Sequence, residues 1–300
     1  MRLYVDEKMS YVANGQKNTD FVNKMVGNEC SKKIIDEKTN KETTSTNYKE
    51  KQKAFDKLAK AFEVENCDWG EEFTDSTENK NIYRIDLDKF SFYQYQKNRN
   101  SNEYVYKMYN NGEKIREFEF TAKKIKGDVL AVPFPQTSEE SEKGAIKIGV
   151  LKQNQIPQWG RYSIRDNGGD NWASPNTCAA LLGFFYSLPL NGYAGVLYYN
   201  DISCMYGSSS HNTHKTGDDI DIRYPGSKDG GQELWKNVVN KYYDGDETKF
   251  IKVFENVLSV AIKWCFINNF ADKSVKGAKQ LDNHEHHFHL GNIFFKRLPK

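Results

Sequence analysis

All six histidines of this 300-residue chain lie in two short stretches in its last third. The first stretch, HNTHKTGDDIDI, covers residues 211–222, and the second, HEHHFHLG, covers residues 284–291. Imidazole is the commonest side-chain ligand for metals and the side chain that exchanges protons near neutral pH. The histidine distribution therefore predicts a fold that brings these two stretches, distant in sequence, into one site.

The first stretch is expected to turn and then enter a strand. Gly217 and the alternation of DDIDI argue against a helix, although a helix would also place residues 214 and 221 on one face. In a strand, Asp219 and Asp221 share one face while the isoleucines face a core. His214 could then share a metal ion with one carboxylate, and such a pair suits Zn²⁺. The alternative is two surface histidines beside an acidic turn.

The second stretch is expected to end in a strand. HHFHL, residues 286–290, places His287 and His289 on one face and its apolar residues on the other. The alternation of faces along a strand says little about His284 and His286, because they precede the regular strand. A histidine-rich turn with incidental metal affinity is the alternative. A catalytic zinc site needs three protein ligands, and the two stretches together supply them with histidines left over for proton transfer and charge stabilisation.

The combined spacing resembles that of the penicillin-insensitive murein endopeptidases, which belong to the LAS group of zinc peptidases. The pattern H-x-x-H-x-x-G-x-D-I-D-I begins at His211, and H-x-x-H-x-H begins at His284. The resemblance covers roughly residues 155–295. Two departures stand out, because the family usually has Val-Arg where Leu290-Gly291 stands and tends to be apolar at the position of Asp218.

The resemblance implies a role for most of the histidines. The expected Zn²⁺ ligands are His214, Asp221 and His289. The expected catalytic residues are His287 as general base, His284 as stabiliser of the tetrahedral intermediate, and His211 as a supporting or alternative ligand. His286 is left without a role. Because the family's substrate carries free carboxylates, we take Arg223, two residues after Asp221 and on its face, as the candidate that contacts one.

The function that the resemblance implies is hydrolysis of peptide cross-links in peptidoglycan, with the bond from D-Ala to diaminopimelate as the expected target. The alternatives are a D,D-carboxypeptidase of the same group and a non-enzymatic zinc-binding module such as the hedgehog domain. Histidines in the positions of base and stabiliser favour an enzyme. A nucleic-acid partner is not expected, because the net charge is +2 and no basic stripe is interleaved with aromatic residues.

The chain is expected to consist of two parts. Residues 1–145 form an amino-terminal region of unknown role, with an amphipathic helix at 48–65, a β-meander at 82–134 and a Pro-, Ser- and Glu-rich linker at 135–145. Residues 146–300 form the zinc metallopeptidase domain. The fold class expected is α+β, in which flanking helices pack on a small antiparallel sheet that carries the zinc site, as in the LAS group.

Three elements are predicted inside the second part. A helix begins after Ser174, which suits an N-cap and is followed by Pro175 at the first helical position. A buried strand is expected at 193–203. A long, mostly apolar helix is expected at 249–270.

The expected location of the protein follows from its substrate and its amino terminus. The first residues lack the apolar run of about 7–15 residues that a signal peptide needs, and no stretch approaches the ~18 apolar residues of a membrane span. We therefore expect a chain made in the cytoplasm that acts in the periplasm or cell wall. An antibacterial effector, partnered by a secretion machine and an immunity protein, would satisfy this, as would a lysis enzyme or a fragment of a longer exported protein.

Overall fold

The structure is a computed structural model, and only part of the chain is described. The described residues are 68–70, 82–87, 90–97, 101–125, 129–162, 169–205, 214–227 and 233–291. The helix predicted at 48–65 and the candidate residue His211 lie outside them. Within the described ranges, helices pack on small sheets built largely from antiparallel strands, which agrees with the α+β class expected.

The elements are numbered along the described chain. The strands are β1 (Asp68–Gly70), β2 (Ile82–Leu87), β3 (Phe90–Gln96), β4 (Glu103–Asn110), β5 (Glu113–Thr121), β6 (Lys123–Ile125), β7 (Val129–Pro133), β8 (Ile146–Lys147), β9 (Trp159–Arg161), β10 (Trp172–Ala173), β11 (Leu197–Tyr199), β12 (Ile220–Ile222), β13 (Phe270–Ala271), β14 (Lys279–Gln280) and β15 (Phe288–Leu290). The α-helices are α1 (Ser138–Gly144), α2 (Pro175–Ser187), α3 (Trp235–Tyr242) and α4 (Glu247–Lys263).

The first sheet is a meander of six strands in the order β1-β2-β3-β4-β5-β8. Four of its strands, β2 to β5, occupy the stretch whose hydrophobic residues alternate with period two, while β1 and β8 lie before and after it. The turn from β4 to β5 is formed by Asn111 and Gly112, which both have positive φ, as a tight hairpin turn requires. A second sheet of three strands, in the order β10-β7-β6, follows the meander.

The residues expected to form a linker, 135–145, include the short packed helix α1. Thr137 caps its first turn. Glu142 accepts hydrogen bonds from the Arg116 guanidinium at 2.9 Å and from the Tyr186 hydroxyl at 2.6 Å. Composition alone suggested a flexible connector because it does not show that one glutamate has buried partners on two other elements. The predicted boundary between two parts of the chain stays a prediction.

The third sheet has the strand order β14-β13-β15-β12-β11-β9. Its central pair, β12 and β15, is antiparallel, while β9 with β11 and β13 with β14 run parallel. One face of the central pair is fully buried and consists of Ile220, Ile222, Phe288 and Leu290. Helix α4 covers this face, where the rings of Phe254 and Phe288 lie 5.0 Å apart. The opposite face is left for polar residues.

Helix α2 begins where the sequence indicates, whereas α4 begins two residues before its predicted start at 249. Ser174 accepts a hydrogen bond from the backbone of Thr177 and caps α2, with Pro175 at the first helical position. Asp246 caps α4 in the same way. Helix α4 ends at Lys263, earlier than its apolar pattern suggests. Cys265 then adopts a positive φ, which ends the helical path. No helix in the described ranges is both long enough and apolar enough to cross a membrane.

One hydrophobic core joins the meander to the helices around the third sheet. Trp264 lies at the junction, with its ring edge-on to Phe90 at 5.9 Å and to Phe92 at 5.8 Å. Gly183 in α2 passes directly beside the same ring, because any Cβ at this position would overlap the indole atoms. The close approach of α2 to Trp264 therefore depends on a glycine.

Replacing Gly183 with Ala should destabilise the protein by about 1–3 kcal/mol, because the added methyl group must displace the buried Trp264 ring. Equilibrium unfolding in urea, followed by tryptophan fluorescence, measures the effect. Gly144→Ala is the matched control, since nothing lies within 4 Å of its Cβ position. Equal stability of the two variants would contradict the packing described here.

Candidate metal centre

The register of the third sheet places three candidate ligands side by side. Asp221 in β12 lies directly opposite His289 in β15, and His214 reaches them from the turn before β12. One ligand atom of each residue lies within 4.8 Å of the corresponding atoms of the other two. Both histidines are buried and Asp221 is partly exposed. The structure thus brings together the three residues that the motifs indicate, in a group that could hold a metal ion.

The turn that carries His214 depends on Gly217. This glycine has φ of +77°, a left-handed conformation that other residues rarely adopt. A Cβ here would lie 2.6 Å from the Ser174 nitrogen and 2.8 Å from the Trp172 oxygen. The Ser174 amide also donates a hydrogen bond to the Gly217 carbonyl at 2.9 Å. The turn is thereby fixed against the start of α2, and His214 with it.

His214 presents one unprotonated nitrogen to the group. Its Nδ1 lies 3.2 Å from the Ile202 carbonyl oxygen. A carbonyl oxygen can only accept a hydrogen bond, so the proton belongs on Nδ1 and the lone pair on Nε2. That Nε2 faces Asp221 Oδ2 at 3.3 Å.

In His289 it is Nδ1 that faces Asp221, because a second carboxylate, that of Asp219, contacts Nε2. Its Nε2 lies 3.2 Å from Asp219 Oδ1, which can accept a hydrogen bond from Nε2 and so leave the lone pair of Nδ1 for a metal ion. That Nδ1 faces Asp221 Oδ1 at 2.9 Å. Gly291 permits the contact, because a Cβ there would overlap the Asp219 carboxylate and lie 2.8 Å from His289 Nε2. The glycine that departs from the family pattern therefore leaves room for Asp219 beside His289.

These contacts show that the group attracts positive charge. In their neutral forms, two imidazoles would direct lone pairs at the two oxygens of one carboxylate, and only a proton or a metal ion between them relieves that repulsion. Burial lowers the pKa of His289, but its hydrogen bonds to Asp219 and Asp221 outweigh burial and raise it to about 9. Burial also opposes the shift at His214, whose pKa is nevertheless raised by the charge of Asp221.

The pKa of Asp221 is shifted in the opposite direction, to a lower value. Burial raises its pKa, but the charge and hydrogen bond of His214 and the hydrogen bond of His289 outweigh burial and hold the pKa well below its usual value. The carboxylate therefore stays ionised at neutral pH. Two imidazole nitrogens and one carboxylate form a donor set that fits a transition-metal ion.

His287 stands beside the group with no strong hydrogen bond of its own. Its Nε2 lies 3.5 Å from Asp221 Oδ2, which is long for a hydrogen bond, and its buried Nδ1 has no partner in the described part of the chain. Burial lowers the pKa of His287 to about 4, against the opposing charge of Asp221. The ring is therefore neutral at neutral pH and can accept a proton.

His284 lies on the other side of His287. The two ring centres are 4.7 Å apart and the rings are inclined by 32°. The Nδ1 of His284 lies 2.9 Å from the Asp282 carbonyl oxygen, so it carries the proton and leaves Nε2 unprotonated in the neutral ring. His284, His287 and the ligand group are thus neighbours.

Two further residues singled out in the sequence, Arg223 and Asp218, do not belong to the ligand group. Arg223 is only 2% exposed, with its guanidinium carbon 3.9 Å from the centre of the Tyr162 ring. Its assignment as a contact for substrate carboxylates stays a prediction. Asp218 lies at the start of α2, where it accepts a hydrogen bond from the Thr177 hydroxyl at 3.3 Å. Burial of this extra carboxylate outweighs its hydrogen bonds with Ser174, Thr216 and Thr177 and raises its pKa.

Two contacts beside the metal group were not predicted from the sequence. Alternation places Asp219 on the face of Asp221 as a possible metal ligand, but it does not predict the contact of Asp219 with His289. Tyr162, which packs against Arg223, follows a short strand far from both histidine stretches and carries no local signal. Neither a scan of protein-family models nor a search of curated proteins finds a match to this chain.

Replacing Asp219 with Asn should weaken Zn²⁺ binding by about 10–100-fold, because the amide no longer fixes the proton on His289 Nε2 or raises the basicity of Nδ1. Competition with a chromophoric chelator measures the affinity. Asp218→Asn is the control, since it removes a neighbouring carboxylate that contacts Thr177 and not a metal ligand, and it should weaken Zn²⁺ binding less than Asp219→Asn does. If Asp219→Asn binds Zn²⁺ as tightly as the parent, Asp219 does not orient His289.

Proposed function

We propose that this protein is a zinc-dependent peptidoglycan endopeptidase with a LAS-like fold that hydrolyses peptide cross-links, preferentially from D-Ala to diaminopimelate. The observation that carries the proposal is the convergence of His214, Asp221 and His289 beside the ring of His287, whose Nδ1 has no hydrogen-bond partner among the described residues. The substrate class is supported by the resemblance of the two motifs to the murein endopeptidases. The arrangement of ligands on an antiparallel strand pair is compatible with the same group.

His214, Asp221 and His289 would hold Zn²⁺, which when bound would supply a water of lowered pKa, about 7, and polarise a substrate carbonyl. His287 accepts the proton of the attacking water, because its ring is neutral and lies beside Asp221. The low pKa of His287 then favours return of this proton to the leaving amine. The resemblance gives His284 the role of hydrogen-bonding the oxygen of the tetrahedral intermediate, which requires a proton on Nε2 because Nδ1 faces the Asp282 carbonyl.

This function requires the protein to reach peptidoglycan, which lies outside the cytoplasmic membrane. We propose delivery as an antibacterial effector or release at lysis. In the first case an immunity protein would be the expected partner, and residues 1–145 would serve delivery.

Replacing His287 with Ala should reduce hydrolysis of cross-linked muropeptides by about 10²–10⁴-fold, because the proton acceptor is lost. Zinc content should stay stoichiometric, since His287 is not a ligand in this proposal. Products are identified by mass spectrometry, and zinc by elemental analysis. His286→Ala is the control, because this neighbouring histidine has no assigned role, and it should lose less than about tenfold in rate.

The products also separate the competing functions. An endopeptidase converts cross-linked dimers to monomers, a D,D-carboxypeptidase releases a terminal D-Ala from monomers, and a binding module yields no product. Turnover by His287→Ala at the parental rate would sink the assignment of the base, while absence of turnover by the zinc-loaded parent would overturn the enzyme itself.

A further inference from the structure

Three consecutive carbonyl groups in the second histidine stretch each accept a hydrogen bond from a different anchored donor. The Tyr224 hydroxyl donates to the His284 carbonyl at 2.7 Å. The Trp235 backbone amide donates to the Glu285 carbonyl at 2.8 Å. The Arg223 guanidinium donates through Nη1 to the His286 carbonyl at 2.9 Å. We call these three donors, Arg223, Tyr224 and Trp235, the carbonyl clamp.

The segment that the clamp holds has no regular structure of its own. Residues 281–287 run between β14 and β15 and contain two turns but neither helix nor strand. Asn283 adopts a positive φ of 65° just before the clamped carbonyls. The sheet therefore fixes His289, whereas the backbone that carries His284 and His287 depends on bonds from outside the sheet.

The donors are themselves firmly held. Arg223 is 2% exposed and lies over the ring of Tyr162, a cation–π contact. Tyr224 is 1% exposed, and its hydroxyl accepts from the Asp272 amide at 2.8 Å, which directs its proton to His284. Trp235, also buried, begins α3, and its indole donates to Glu247 in α4 at 2.7 Å. Each donor thus links the histidine segment to the buried core.

We propose that Arg223 and Tyr224 are positioning residues, which hold the backbone of residues 284–286 so that His287 faces Asp221 and His284 lies against His287. This inference rests on the proposed function for the chemistry that the two histidines perform. It gives Arg223 a different role from contact with a substrate carboxylate. That role fits its burial and its bond to a backbone carbonyl, whereas a substrate contact requires the guanidinium to be reachable.

The clamp predicts a defined kinetic signature. A displacement of about 1 Å in a catalytic group costs up to roughly 10²-fold in rate. Because the clamp donors bond to backbone carbonyls and not to substrate, their loss should lower kcat and leave KM nearly unchanged. A residue that binds a substrate carboxylate in the ground state gives the opposite pattern, with KM raised and kcat retained.

The test uses Arg223→Lys and Tyr224→Phe in the full-length zinc-loaded protein, with cross-linked muropeptide as substrate. Arg223→Lys keeps the positive charge but loses the planar guanidinium group, and Tyr224→Phe loses only the hydroxyl group. Each should lower kcat by about tenfold or more while KM changes less than about twofold. Tyr243→Phe is the matched control, because it removes a buried hydroxyl that donates to the Pro225 carbonyl at 2.9 Å, and its kcat should equal that of the parent.

A parental kcat in both clamp variants, or a raised KM with retained kcat in Arg223→Lys, would overturn the proposal. If Arg223→Lys does not fold, Tyr224→Phe alone decides. A second readout does not need activity. In the zinc-loaded protein labelled with ¹³C in the histidine rings, the His284 and His287 signals should shift or broaden in the clamp variants and not in Tyr243→Phe.

Unchanged histidine signals would refute the clamp whether or not the protein hydrolyses muropeptides. Conversely, a parent that cleaves no muropeptide defeats the proposed function, while the histidine signals still decide whether Arg223 and Tyr224 hold the segment. The two failures are therefore distinguishable.

Discussion

The contact on which the candidate site depends is the pairing of Asp221 with His289 across two adjacent antiparallel strands. It sets one carboxylate oxygen 2.9 Å from an imidazole nitrogen, and His214 approaches the other oxygen at 3.3 Å. With a metal ion bound, the remaining proton of each imidazole would point away from Asp221, to the Ile202 carbonyl and to Asp219. The fold thus holds three metal-ligating groups at short range, although their lone pairs would repel one another without a positive charge between them.

The hydrophobic core supplies the rigidity that this pairing needs. The strands that carry Asp221 and His289 bury their other faces completely under α4, so a shift of register by one residue would bury the acidic residues and expose the apolar ones. The turn before β12 is locked by Gly217 against α2. Trp264 extends the same core to the meander. Packing that is remote from the site therefore fixes the ligand geometry.

Local patterns in the sequence predicted the parts of this structure that have local causes. Alternation indicated the face of Asp221 and His289, and Ser174 indicated where α2 begins. What could not be predicted has long-range causes: Glu142 anchors a helix where composition suggested a linker, and Arg223 turns to a carbonyl 63 residues away instead of to solvent. Parity assigns a side chain to a face of a strand but does not reveal its burial or its partner on another element.

The most direct test of the account is the position of the metal itself. Crystals of the zinc-loaded protein, with anomalous diffraction recorded on both sides of the zinc absorption edge, locate the ion independently of any activity. The account predicts one zinc ion bound by Nε2 of His214, Nδ1 of His289 and the Asp221 carboxylate, with protein–zinc distances of about 2.0–2.2 Å. A zinc ion bound by other residues, or no zinc ion between these three, would contradict it.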